Sequence, residues 1–288
     1  MSETDPKTPG DETGGETRCR DFPFSEETLQ AIREFRLIDD AFMQVCFEYD
    51  TECLQEVLRI ILDMPDLVIV AVRVQQPLKN LRGRSLRVDV LARDSTGRLF
   101  NLEVQRTDTD PRRFRLHSGM VDGAALDAGD DFEDLPDLYV IFIMERDPFR
   151  KGLPLYHFVR YMPEIGLALE DGSHIICVNG EIRGKQTKLA QVMHDFFCAD
   201  PDEMYIESLA RVARRFKQDE EGVLKMGSVV EKIRAERTLE VQTAIILQML
   251  RMGEFTLEKM AEITQLSLDE VKAIIARSIP DAQGEGAK

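Results

Sequence analysis

The sequence predicts an α/β protein: a mixed β-sheet flanked by helices, followed by an all-helical C-terminal part. Three observations carry this. Runs rich in β-branched residues at 67–74 and 138–144 read as strands buried on at least one face. Two alternating runs on either side of Asp94-Ser95-Thr96-Gly97 read as a hairpin. Beyond about residue 185, apolar residues recur only at helical spacing.

Taken in order, residues 1–18 are rich in Thr, Glu, Asp, Gly and Pro with almost no apolar content, the composition of a disordered tail. Ser25-Glu26-Glu27-Thr28 supplies a cap and first-turn acids for a helix carrying Leu29, Ile32 and Phe35. A second helix covers about 39–47. A third, about 52–62, has an apolar stripe of Leu54, Val57, Leu58 and Ile61. After the first strand, 67–74, comes the hairpin, 86–93 and 98–105. A loop then leads to a helix over 112–128, an acidic loop to 137, the strand 138–144, and further strands at 155–161 and 174–178. Helices at 185–198 and 201–216 follow, the second with Arg211, Arg214, Arg215 and Lys217 on a solvated outer face. The chain ends in two short helices that begin at Thr256 and Ser267, each capped by a hydroxyl residue.

At 288 residues and 43% hydrophobic, the chain can hold one substantial domain and a smaller one. The longest compact apolar run, Tyr139–Met144, is too short to cross a bilayer, and the first residues lack the apolar stretch of a signal peptide, so no membrane partner and a cytoplasmic location are expected. Five cysteines, at 19, 46, 53, 177 and 198, show no CxxC or paired spacing and read as reduced thiols. A net charge of -16 argues against nucleic-acid binding over the whole surface. Between Lys79 and Arg115, however, ten basic residues face five acids.

The hairpin carries the chemistry. Asp-x-x-Gly suits a type I turn with Gly in the left-handed conformation, which pairs Asp94 with Arg98 across a bulged three-residue loop. Counting outward from that pair sets Asp89 opposite Glu103, with Asn101 and Gln105 on the same face, and sends Val88, Val90, Phe100, Leu102 and Val104 to the other. Two facing carboxylates repel unless one holds a proton or an ion bridges them, and hard divalent cations prefer such oxygens. The structural alternative is a solvated face of an exposed hairpin.

Asp89, thirteen intervening residues, then Glu103-Val104-Gln105 resembles the PD-(D/E)xK phosphodiesterase core. The text around it includes basic residues before Arg87-Val88-Asp89-Val90, Arg113-Phe114-Arg115, Met120-Val121-Asp122, the strand at 138–143 and Asp147-Pro148-Phe149-Arg150-Lys151-Gly152. With it, the chain resembles the bacterial PD-(D/E)xK nuclease family transposases, or recombination-promoting nucleases, over roughly 35–179. The resemblance implies a restriction-endonuclease-like sheet and a DNA endonuclease using Mg²⁺, or Mn²⁺ in its place, in transposition or recombination. It makes Asp89 and Glu103 the metal-binding acids. Gln105 stands where the wider superfamily has its catalytic Lys, as it often does in this family, and would orient the attacking water. Arg113 and Arg115 would contact phosphate. An acid on a helix leaning over the site, Asp40 or its neighbour Asp39, would supply a further ligand, unless it only caps the second helix. The family's aromatic residues after the second Arg are replaced by Leu116 and His117.

The expected organisation is a tail (1–18), a nuclease-like domain (19–200), a helical connector (201–237), a helix-turn-helix-like unit (238–278) and a second tail (279–288). Asp269 and Glu270 start the last helix where base-reading or basic groups would be needed, which favours a structural or homo-oligomeric role for that unit. Two other readings stand beside the nuclease. One is an inactive, transposon-derived DNA-binding or scaffolding protein, and the other is a regulator that binds partners through its C-terminal helices.

Overall fold

The computed structural model describes residues 22–79, 85–107 and 110–278. Both expected tails, Cys19, Arg82, Arg84 and Asp108 lie outside the described residues. Three helices open the chain: α1 (Glu26–Glu34), α2 (Asp40–Tyr49) and α3 (Thr51–Leu62). Ser25 caps α1 by accepting from the Thr28 N–H at 3.2 Å, and Asp50 caps α3 by accepting from the Cys53 N–H at 2.9 Å.

The main sheet has six strands in the order β1 (Ile69–Leu78), β2 (Leu86–Asp94), β3 (Leu99–Gln105), β4 (Leu138–Met144), β8 (Ser173–Asn179) and β5 (Leu155–Phe158). The β1–β2–β3 meander is antiparallel, β3–β4 and β4–β8 are parallel, and β5 is antiparallel to β8. The parallel β3–β4 step needs a crossover, and α4 (Arg112–Ala125) supplies it. The first strand runs four residues past the expected 67–74, and the stretch expected at 155–161 splits into β5 and β6 (Tyr161–Met162), which pairs with β7 (Leu167–Ala168) in a small hairpin.

Helices cover both faces of the sheet. Residues of α1 to α3, α5 (Lys188–Phe197) and α6 (Glu207–Gln218) build one core with Val90, Ala92, Phe100, Leu102, Ile141 and Ile143. On the other face Phe114 and Val121 of α4 pack with Val140 and Phe142. β3 and β4 are buried at every residue, so Asn101, Glu103 and Gln105 lie inside the protein. The solvated-face alternative is thereby overturned: β4 pairs along the full length of β3 and the helical layers close over both sides.

One expectation about the hairpin fails at a single step. Val88 packs with the α4-side core, whereas Val90, two residues on, packs with the opposite one. In regular strands both would share a face. The exchange occurs beside Gln75, whose φ of 49° lies in the left-handed region, and the β1–β2 register passes over Gln75 and Asp89. Asp89 sits at that irregularity.

Beyond the sheet the chain is helical. The stretch expected as one helix over 201–216 is a 3₁₀ turn (Pro201–Glu203) followed by α6. A 33-residue helix, α7 (Glu220–Met252), then crosses the 237/238 boundary unbroken: Val223, Met226 and Val230 belong to the core, while Ile246 and Met249 pack with α8 (Leu257–Thr264) and α9 (Leu268–Ser278). Gly227 lets α7 lie close to the N-terminal segment, since a Cβ there would meet the Phe24 ring. Among the described residues no helix is long and apolar enough to cross a membrane.

Lys217 departs from the solvated face assigned to it. Its ammonium is buried and donates to the carbonyls of Arg33 (2.9 Å), Phe35 and Ala199. It thereby joins the end of α1 to the α5–α6 connection, and burial pulls its pKa down to about 8. No local pattern marks this lysine, because only the packed α1 terminus brings those acceptors together. Lys217→Met should cost about 2 kcal/mol in a urea melt at pH 7, since it leaves buried carbonyls unpaired; a midpoint within error of the wild type would refute the role.

Candidate active site

The turn forms as its chemistry requires. Gly97 has φ 96°, and its N–H donates to the Asp94 carbonyl at 3.1 Å, while the Asp94 N–H donates to the Arg98 carbonyl at 3.1 Å. Asp94 also accepts from the Thr96 and Arg98 N–H groups and from the Arg98 guanidinium at 2.7 Å. The ladder then pairs Arg93 with Leu99, Ala92 with Phe100, Leu91 with Asn101 and Val90 with Leu102, the expected register.

The next pair in that count is Asp89 and Glu103, and here side chains take over from the backbone. The Asp89 N–H donates to Glu103 Oε1 at 3.0 Å, and the Val104 N–H donates to Asp89 Oδ2 at 3.3 Å. Each carboxylate therefore engages the other strand. Asn101 Nδ2 donates to the same Glu103 oxygen at 2.8 Å, and His117 Nδ1 of α4 lies 3.5 Å from it. Arg113 Nε donates to His117 Nε2 at 3.4 Å, so α4 extends a polar line from Glu103 toward solvent.

From the opposite side α2 brings Asp40 and Gln44, which are four residues apart and so on one helical face. Gln44 Nε2 donates to Asp89 Oδ1 at 3.2 Å and Gln44 Oε1 accepts from Gln75 at 2.7 Å. Burial, then the Glu103 and Asp40 carboxylates, push the Asp89 carboxyl up to about 8 against the pull of the Val104 N–H and Arg113. Burial, together with Glu103 and Asp39, raises Asp40 as well.

The expected residues divide. Asp89, Glu103 and Asp40 act on one another electrostatically, and Arg113 is the cation acting on both aspartates. Asp39, the alternative to Asp40, is committed elsewhere: it accepts from the Arg36 N–H and Arg106, both at 2.9 Å, and its side chain does not cap α2. Gln105 does not present its amide N–H groups to the acids, since its Nε2 donates to the Thr107 carbonyl and hydroxyl at 3.1 and 2.9 Å. Arg115 is exposed and stands two residues along α4 from Arg113, which turns it toward the other side of the helix. His117 is fully buried. Gln44 and Gln75 were missed; the four-residue spacing to Asp40 could have shown the first, and nothing local marks the second.

Asp40 and Asp89 line a cleft of about 750 Å³ between α1, α2, the β1–β2 ribbon and α7. Among the described residues no three His, Cys, Asp or Glu side chains form a ready metal cage. The donor chemistry nevertheless fits a hard dication. The available atoms are carboxylate oxygens, Arg113 is the cation that acts on both aspartates, and two of the three carboxylates are held on neighbouring strands. Comparison with known proteins identifies no relative: no family model, curated protein or solved structure matches the chain.

Proposed function

We propose that this chain is a Mg²⁺-dependent endonuclease of the PD-(D/E)xK type that hydrolyses DNA in transposition or recombination. The observation that carries the reading is the Asp89–Glu103 pair on neighbouring strands, Glu103 buried and Asp89 half-buried at the cleft, with Asp40 lining the same cleft. Asp89 and Glu103, with Asp40, would hold the cation, Mg²⁺ or Mn²⁺. When bound, it would polarise the phosphate and acidify a water molecule. The chain's own residues do the rest. Asn101 and the Asp89 N–H fix Glu103, Gln44 fixes Asp89, and Arg113 offsets negative charge on the phosphoryl oxygens. Their hydrogen bonds hold these groups in place before substrate arrives, which reduces the reorganisation that the reaction requires. Gln105 Nε2 could donate to a water only on leaving Thr107, whereas its Oε1 is not engaged by Thr107.

Purified protein with Mg²⁺ should nick supercoiled plasmid, and Asp89→Ala or Glu103→Ala should lower the rate at least 100-fold. Nicking at the wild-type rate in both variants would exclude the assignment.

The engaged Gln105 amide favours one second reading, a DNA-binding protein that keeps the nuclease shape without turnover. Calorimetry separates the two. A nuclease binds Mg²⁺ through Asp89, whereas a relic kept only for binding shows no Asp89-dependent heat.

A further inference from the structure

The cleft above Asp89 has walls from two distant parts of the chain. Arg87 stands two residues before Asp89 on β2, and Arg234 and Arg237 of α7 face it from the opposite side. Four acids, Glu34, Asp39, Asp40 and Asp89, line it beside four arginines; of these Arg106 is held by Asp39 (2.9 Å) and Glu145 (3.2 Å), and Arg234 donates to Thr28 Oγ1 at 2.8 Å. Arg87 and Arg237 are exposed and have no ion-pair partner among the described residues. Phe35, half-buried and stacked on Phe42 at 5.9 Å, offers an aromatic surface to the same space. Guanidinium groups suit phosphate oxygens, and a ring suits the face of an unpaired base. A volume of about 750 Å³ is that of a small-ligand pocket and holds about one or two nucleotide units.

We infer that the α7-walled cleft takes a single, unpaired nucleic-acid strand, with Arg87 and Arg237 gripping its phosphates and Phe35 receiving a base. The inference relies on the nuclease reading only in taking a phosphodiester as the ligand. It assigns α7 to the substrate site, beyond the structural part that the sequence suggests for the C-terminal helices.

The test is fluorescence anisotropy of the full-length protein with a labelled oligonucleotide, single-stranded or annealed to its complement, in EDTA over a range of salt. The single strand should bind at least tenfold tighter than the duplex. Arg87→Ala combined with Arg237→Ala should weaken single-strand binding about tenfold and lower the slope of log affinity against log salt by about 1.4, as expected for two lost phosphate contacts. Arg251→Ala combined with Arg277→Ala removes the same charge at exposed positions outside the cleft and should change neither quantity. Phe35→Leu, which keeps apolar bulk, should weaken the single strand by a few-fold and leave the salt slope unchanged. Equal affinity for the duplex, or an equal loss in both double variants, overturns the inference. Plasmid nicking tells this failure from that of the enzyme reading. Tight strand binding without nicking sinks the nuclease alone, while duplex cleavage without single-strand preference sinks the cleft assignment alone.

Discussion

At pH 8 in EDTA, Asp89→Asn protein should unfold at a higher temperature than the wild type, by about 6–10 °C, which corresponds to roughly 2–3 kcal/mol for a domain of this size. The reason is the acid trio, in which Glu103 is buried, Asp89 half-buried and Asp40 exposed on the cleft wall. Burial and the carboxylates of Glu103 and Asp40 raise the folded-state pKa of Asp89 from 3.8 to about 8. Between those values the folded protein holds a proton that the unfolded chain releases, so stability falls as pH rises from about 4 to about 8 and is level above. The favourable contribution is thus complete below the unfolded pKa and lost as pH climbs through the folded one. An amide has no such slope, so the gain of the variant should be greatest at pH 8 and vanish near pH 4. Gln44 and Gln75 can turn their amides together to suit the new neighbour, and the amide has the shape of the carboxyl it replaces. Millimolar Mg²⁺ should narrow the gap by stabilising only the wild type through binding to the folded state. Melting curves at pH 5 and pH 8, with and without Mg²⁺, check all of this; a variant less stable than the wild type in EDTA at pH 8 would show that the acids do not repel as argued.

Asp195→Ala should have the opposite sign and a larger size, about 3–4 kcal/mol of lost stability. The Asp195 carboxylate is fully buried in α5, yet it accepts the Tyr205 N–H at 2.9 Å, the Ile206 N–H at 2.7 Å and His194 Nδ1 at 3.0 Å. Tyr205 and Ile206 lead directly into α6, so this side chain caps a helix from another one, and its charge faces the positive end of the α6 dipole. Alanine would strand the Ile206 N–H in the core and leave the Tyr205 N–H without its acceptor. Asp195→Asn keeps one acceptor and should lose about half as much. Urea titration measures both, and an alanine variant within 1 kcal/mol of the wild type would disprove the capping role.

Much of the candidate site was legible before any fold was known, because it depends on a turn. Asp94 and Gly97 set a bulged loop, the loop sets the pairing, and the pairing carries Asp89 to Glu103. Asn101 was legible for the same reason, as it shares the alternation of Glu103. Other features were hidden because no neighbour in sequence reports them. The crossover of Val88 and Val90 to different cores depends on a backbone irregularity at Gln75, in another strand. Lys217 looked solvated because its acceptors come from residues 33, 35 and 199. Gln105 matched a catalytic position by spacing, yet its amide turns to Thr107, a choice made by the path of the following loop.

What the sequence determined by itself was local and directional: where the chain turns, which residues then lie opposite, and which helices have an apolar stripe. Those follow from φ preferences, capping groups and periodicity, all written within a few residues. Only the tertiary structure decided how deep the acids lie, which arginine faces them, and that a helix more than a hundred residues downstream forms the far wall of their cleft. Burial and long-range electrostatics are sums over groups distant in sequence, and they acquire values only when packing brings those groups together.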